Sequence, residues 1–99
     1  MASFDADGQP YELRLTFNAL CSFEKARGKS VMQAFPSGGE SVSMIDIREL
    51  VRCGLTQKVT EERAGEIIDA AGLGNVMEAV EAAINDAFPA AKEAPSGNG

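Results

Sequence analysis

The chain has 99 residues and a net charge of −6, from 15 acidic and 9 basic side chains. Its 44% hydrophobic and 24% charged residues are typical of a globular protein, and the length suffices for one domain with a modest core. Nucleic-acid binding depends on clustered Lys and Arg, which are scattered here, so we expect no nucleic acid partner. No apolar run approaches the roughly 20 residues that span a bilayer, and no secretory signal is visible. We therefore expect a cytoplasmic protein that does not bind membranes.

The residues needed for catalysis are also scarce. The chain contains no histidine, which is the commonest general base and metal ligand. Cys21 and Cys53 stand alone, and each falls in a helical apolar pattern, so we expect both to be buried and reduced. Neither a dinucleotide-binding glycine motif nor a Walker loop occurs, and neighbouring glutamates along the later helices are expected to be solvated. The sequence predicts no enzyme activity, no cofactor and no metal.

In chain order, the first feature is "FDADGQPYEL" at residues 4–13. Its aspartates and Gly8 resemble a calcium loop, but placing Gly8 at the sixth position puts Arg14 where the bidentate glutamate belongs. Asp7-Gly8 instead suits a tight hairpin turn. The alternation after it predicts a half-buried strand. Its inward face would comprise Tyr11, Leu13, Leu15 and Phe17.

Two helices are predicted next. The first begins after an N-cap at Thr16 or Asn18 and ends at Gly28, a typical C′ residue. Ser30 caps a short second helix, which Pro36 ends. The sequence "PSGGES" at 36–41 predicts a loop.

A third helix is predicted to open at Ser43 and to end in a Schellman motif at Gly54-Leu55. Asp46 lies three residues after Ser43, close to a capping box. The helical periodicity predicts a buried face made of Met44, Ile47, Leu50 and Val51. It predicts a solvent-exposed face made of Asp46, Arg48, Glu49 and Arg52.

The last two helices follow the same scheme. Thr60 caps a helix that ends at Gly72 and carries Glu61 and Glu62 in its first turn. Its apolar face would comprise Ala64, Ile67, Ile68 and Ala71. The final helix, from about residue 75 to 88, would bury Met77, Val80, Ile84 and Phe88. We expect residues 89–99, which are small and polar, to form a disordered tail.

These elements predict an α+β fold that is mostly α. A short N-terminal β-hairpin precedes about four short amphipathic helices in one domain over residues 1–88, and a flexible polar tail covers 89–99. Such helices depend on packing against each other and against the strands.

The order of these pieces resembles the small tail assembly chaperones of long-tailed phages, in particular the gene-transfer-agent type. The likeness covers roughly residues 8–88. The matching residues are Leu13, Leu15, Thr16, Phe17, Ala19, Leu20, Glu24, Gly28, Lys29, Ser30, Leu50, Gly54, Leu55, Thr60, Glu61 and Glu62. The resemblance implies a non-enzymatic protein of the bacterial host cytoplasm, absent from the finished particle. Its partners would be the tape-measure protein, which it keeps soluble, and the tail-tube protein, which it recruits.

An amphipathic helix face could bind a partner helix, and an exposed apolar patch would also promote self-association. The candidate partner-binding residues are Phe35, Met77 and Phe88, because each lies near a helix end or a loop. The alternative is that all three belong to the core, as expected for Met32 and Met44. Two other functions remain open: a structural head-tail connector or other virion component, and a small regulatory or antitoxin-like protein.

Overall fold

The part of the chain described by the computed structural model, residues 2–36 and 42–88, folds into a β-hairpin and five helices. The elements are β1 Ala2–Ala6, β2 Gln9–Leu13, α1 Phe17–Arg27, α2 Val31–Ala34, α3 Met44–Gly54, α4 Glu61–Ala71 and α5 Leu73–Ala87. The α+β, mostly α fold is confirmed, and α2 is the short helix predicted after Ser30. The predicted loop at 36–41, apart from Pro36, and the predicted tail at 89–99 lie outside the described residues.

The hairpin forms where the Asp-Gly pair predicted it. Asp7 and Gly8 have φ of 54° and 76°, as a type I′ turn requires at both central positions. The strands pair antiparallel with Ala6 opposite Gln9 and Phe4 opposite Tyr11. The two aspartates of the calcium-loop alternative therefore belong to β1 and its turn.

The strand after the turn is shorter than its alternation suggested. β2 ends at Leu13, and α1 begins at Phe17 after Thr16, whose hydroxyl accepts a hydrogen bond from the Ala19 N–H at 3.1 Å. The prediction placed Phe17 on the buried strand face, but its side chain is 79% exposed. The prediction was wrong because the chain enters α1 at Phe17, directly after the N-cap Thr16, so the strand alternation does not extend to Phe17.

The second edge of β2 is covered by the end of α3. The Arg14 N–H donates to the Gly54 carbonyl at 2.7 Å, and the Thr56 N–H donates to the Glu12 carbonyl at 3.0 Å. Gly54 is the last residue of α3 and is not in the left-handed conformation, so the predicted Schellman motif was wrong. A Cβ on Gly54 would lie 3.0 Å from Leu15 Cδ2, and glycine therefore permits this close approach.

The core lies between the hairpin and the helices. α4 and α5 pack on β1, while α3 packs between α1 and α4. The largest fully buried apolar side chains are Phe23, Leu50, Ile67, Val51, Val76 and Val80. The predicted apolar stripes of α3 and α4 thus supply much of the core, although Met44 does not belong to it.

Two helix faces differ from the predicted ones. In α1 the buried residues are Ala19 and Phe23, and Cys21 lies about 200° around the helix from either, so it is exposed rather than buried. α5 begins at Leu73 instead of residue 75 and buries Val76, Ala79, Val80 and Ala83. The small side chains of Ala79 and Ala83 are buried there. The larger residues that were predicted to be buried, Met77, Ile84 and Phe88, are only half-buried.

Candidate partner-binding surface

A buried carboxylate joins the start of α3 to the end of α1. Asp46 is 1% exposed, and its two oxygens pair with Arg27 Nε at 2.7 Å and with Lys29 Nζ at 2.8 Å. The sequence prediction that Asp46 caps α3 and faces water was wrong on both counts. Ser43 is the N-cap but makes no side-chain cap bond. The Asp46 carboxylate does not complete a capping box because it pairs with cations from another segment.

These cations keep Asp46 ionised. Burial alone raises the pKa of the Asp46 carboxyl, but the hydrogen bonds and charges of Lys29 and Arg27 together lower that pKa below its usual value of 3.8. A carboxylate with two charge-assisted hydrogen bonds also has a fixed orientation. The two backbone segments that carry these three residues are therefore held in one geometry.

Exposed apolar side chains lie on the same two segments. Met44 and Ile45 directly precede Asp46, and Met32 lies in α2, which begins two residues after Lys29. They are 60%, 50% and 47% exposed, respectively. We call Met32, Met44 and Ile45 the methionine surface. Large apolar side chains that remain exposed in a folded chain are candidates for an interaction site.

The sequence offered one signal for this surface. Ile45 lies about 200° from Ile47 around α3, on the opposite side from the buried stripe. Met44 was assigned to that stripe, but it is the first residue of α3 and its side chain stays in solvent. The expectation that Met32 and Met44 belong to the core was therefore wrong.

The structure does not place the three candidate partner-binding residues on one exposed patch. Phe35 is buried, and its ring centroid lies 6.1 Å from that of Phe23. Met77 and Phe88 are half-buried on α5 and at its C-cap. Phe35 is thus a core residue in the isolated chain, whereas Met77 and Phe88 keep part of their side chains accessible.

A second buried carboxylate organises the end of α3. Glu49, also predicted to face water, is buried and accepts a hydrogen bond from Arg52 Nε at 3.0 Å. The Cys53 thiol donates to the same oxygen at 3.4 Å. Burial and this carboxylate raise the pKa of the Cys53 thiol to about 11, so at neutral pH it is protonated and a poor nucleophile.

Two grooves run along α5. One, of about 450 Å³, is lined by the end of β2, residues 14–16 and the C-terminal part of α5. The other, of about 440 Å³, lies between β1 and the N-terminal part of α5. We call the latter the β1–α5 groove. Its walls are Ala2, Ser3, Phe4, Asp5, Asn75, Glu78, Ala79 and Ala82.

Across residues 2–36 and 42–88, no group of three or more acidic or thiol side chains is arranged to hold a metal ion. None of the helices described is both long and apolar enough to cross a bilayer. No protein-family model, curated protein or solved structure matches the chain. The candidate functional features of the described residues are thus the methionine surface, the two carboxylate clusters and the grooves beside α5.

Proposed function

We propose that this chain is a non-enzymatic tail assembly chaperone that binds the tape-measure protein and helps to recruit tail-tube subunits. The order of the sequence pieces resembles that of phage tail assembly chaperones. The structural observation that supports the proposal is the methionine surface, whose three large apolar side chains are exposed on α2 and in the first turn of α3.

Such a surface suits a long helical client. Methionine is unbranched and flexible, so Met32 and Met44 can adapt to different apolar side chains on successive turns of a partner helix. Ile45 adds a stiffer side chain beside them. Asp46 follows Ile45 in α3 and is buried and paired with Arg27 and Lys29, so an apolar helix beside Met44 and Ile45 would not meet an unpaired carboxylate.

The test is co-expression with the tape-measure protein from the same particle-producing genome. The double variant Met44→Asp/Ile45→Asp places two charges on the methionine surface without touching the core. It should lower the soluble, co-purifying tape-measure protein at least fivefold relative to the unmodified chain. Leu73→Asp is the matched control, because Leu73 is an exposed apolar residue on a different helix.

Equal recovery of tape-measure protein with the double variant would contradict a role for this surface. An insoluble tape-measure protein in the presence of the unmodified chain would contradict the chaperone proposal itself. Circular dichroism of each variant controls for unfolding. In this proposal the chain acts in the host cytoplasm and leaves before the particle is finished.

A further inference from the structure

The hydrogen-bonding pattern of the hairpin determines which backbone groups of β1 point away from β2. In a hairpin with a two-residue turn, the pair that closes the turn, here Ala6 and Gln9, exchanges both hydrogen bonds. The pairs then alternate, so Phe4 and Tyr11 are bonded, whereas Ser3–Glu12 and Asp5–Pro10 are not. Pro10 has no N–H to donate, and the Glu12 carbonyl accepts from Thr56 on the far side, which agrees with this alternation.

The N–H and C=O groups of Ser3 and Asp5 therefore point out from the hairpin. The edge of β2 is covered by residues 54–56, but no backbone group among the described residues bonds to Ser3 or Asp5 on the edge of β1. An uncovered strand edge is a template for another strand.

The β1–α5 groove follows this edge. Successive side chains of a strand point to opposite faces, so a groove that touches the four consecutive residues 2–5 runs along the edge of β1 rather than over one face. No residue of β2 lines it, and its far wall is α5. On the α5 wall, the small side chains of Ala79 and Ala82 leave room for every second side chain of an added strand.

The charges of the groove select its occupant. Asp5 and Glu78 line it, and its lining contains no Lys or Arg. A second copy of this chain, with its own Asp5 and a net charge of −6, would bring like charges together at the edge. We infer that the β1–α5 groove binds an extended peptide segment of a partner protein by strand addition to β1, with Lys or Arg of that segment beside Asp5 and Glu78.

This inference goes beyond the proposed function and does not rest on it, because the methionine surface and the tape-measure protein play no part in it. The probe is a short synthetic peptide of alternating valine and serine with a lysine at each end. The comparison peptide has glutamate at both ends. Amide NMR of the full chain should show saturable shifts and slowed hydrogen exchange at Ser3 and Asp5 with the lysine peptide. Binding of the glutamate peptide should be about tenfold weaker, because opposite-charge contacts become like-charge ones.

Ser3 supplies a matched pair of variants. Ser3→Pro removes one outward N–H but no β1–β2 hydrogen bond, as Pro10 already does on the partner strand, and it should weaken lysine-peptide binding at least tenfold. Ser3→Ala keeps the N–H and should bind normally. If Ser3→Pro fails to fold, the exposed double variant Asp5→Lys/Glu78→Lys replaces it and should prefer the glutamate peptide.

Failure of both peptides to bind, equal binding by Ser3→Pro, or an unchanged charge preference in the lysine variant would overturn the inference. Concentration-dependent protection of the Ser3 and Asp5 amides without peptide would also overturn it, since a second copy would then occupy the edge. None of these results bears on co-expression with the tape-measure protein, so the two proposals can fail separately.

Discussion

Replacing Asp46 by asparagine tests whether the buried ion pairs stabilise the end of α1 against the start of α3. The change keeps the shape of the side chain but removes its charge, and it turns one oxygen into an NH₂ group. Whichever oxygen is replaced, a donor then faces a donor on Arg27 or Lys29.

The cost follows from the contacts that are lost. A hydrogen bond to a charged partner contributes about 1.5–3 kcal/mol. In the variant one of the two contacts is lost outright, and the other joins a cation to a neutral amide oxygen instead of a carboxylate. Arg27 and Lys29 are partly exposed and can regain water, which reduces the penalty. We expect a loss of about 2 kcal/mol in the free energy of unfolding at pH 7, or roughly 10 °C in Tm for a domain of this size.

Urea unfolding followed by circular dichroism measures this loss, and its pH dependence checks the cause. The pKa of Asp46 is lower in the folded than in the unfolded chain, so its contribution is complete above the unfolded pKa and disappears as the pH falls through the folded one. The difference between the two proteins should be constant from pH 7 to about 5 and shrink below about 3.8. Glu66→Gln, which removes an exposed ion pair with Arg63, should leave the midpoint unchanged. A loss below about 0.5 kcal/mol at pH 7, or a difference that does not shrink as the pH falls below about 3.8, would refute the reasoning.

Three further predictions concern the thiols, the helix caps and the core. Iodoacetamide should label the exposed Cys21 at least tenfold faster than Cys53, whose pKa is raised to about 11, and equal rates by mass spectrometry would contradict this assignment. Thr60→Ala should cost about 1 kcal/mol in urea unfolding because the hydroxyl accepts from the Arg63 N–H, whereas Ser43→Ala should cost almost nothing; similar losses would contradict the cap assignment. Phe23→Ala should cost about 3–5 kcal/mol, since its ring is fully buried, and a loss under 1 kcal/mol would contradict the described core.

Features that depend on a few neighbouring residues could be predicted from the sequence. The Asp7-Gly8 turn, the caps at Ser30 and Thr60, and the helix stop at Gly72 each follow from residues within one turn of the chain. The buried stripe Ile47, Leu50 and Val51 was likewise visible in the helical period. The α+β fold class follows from these local signals.

Features that depend on distant residues could not be predicted in this way. Asp46 appears solvated in its own helix, and only the fold brings Arg27, 19 residues away, to its carboxylate. Gly54 resembles a helix stop until β2 is placed against it. The methionine surface was missed for the same reason, because burial of Met32 and Met44 depends on whether another element covers them.

The most direct measurement of the proposed function is quantitative mass spectrometry of a tagged chain in particle-producing cells. Two samples are compared: the proteins that co-purify with the chain during assembly, and the purified finished particles. The chaperone proposal predicts that the tape-measure and tail-tube proteins co-purify with the chain and that the chain is missing from the particles. Stoichiometric amounts of the chain in finished particles would contradict it and indicate a structural component such as a head-tail connector.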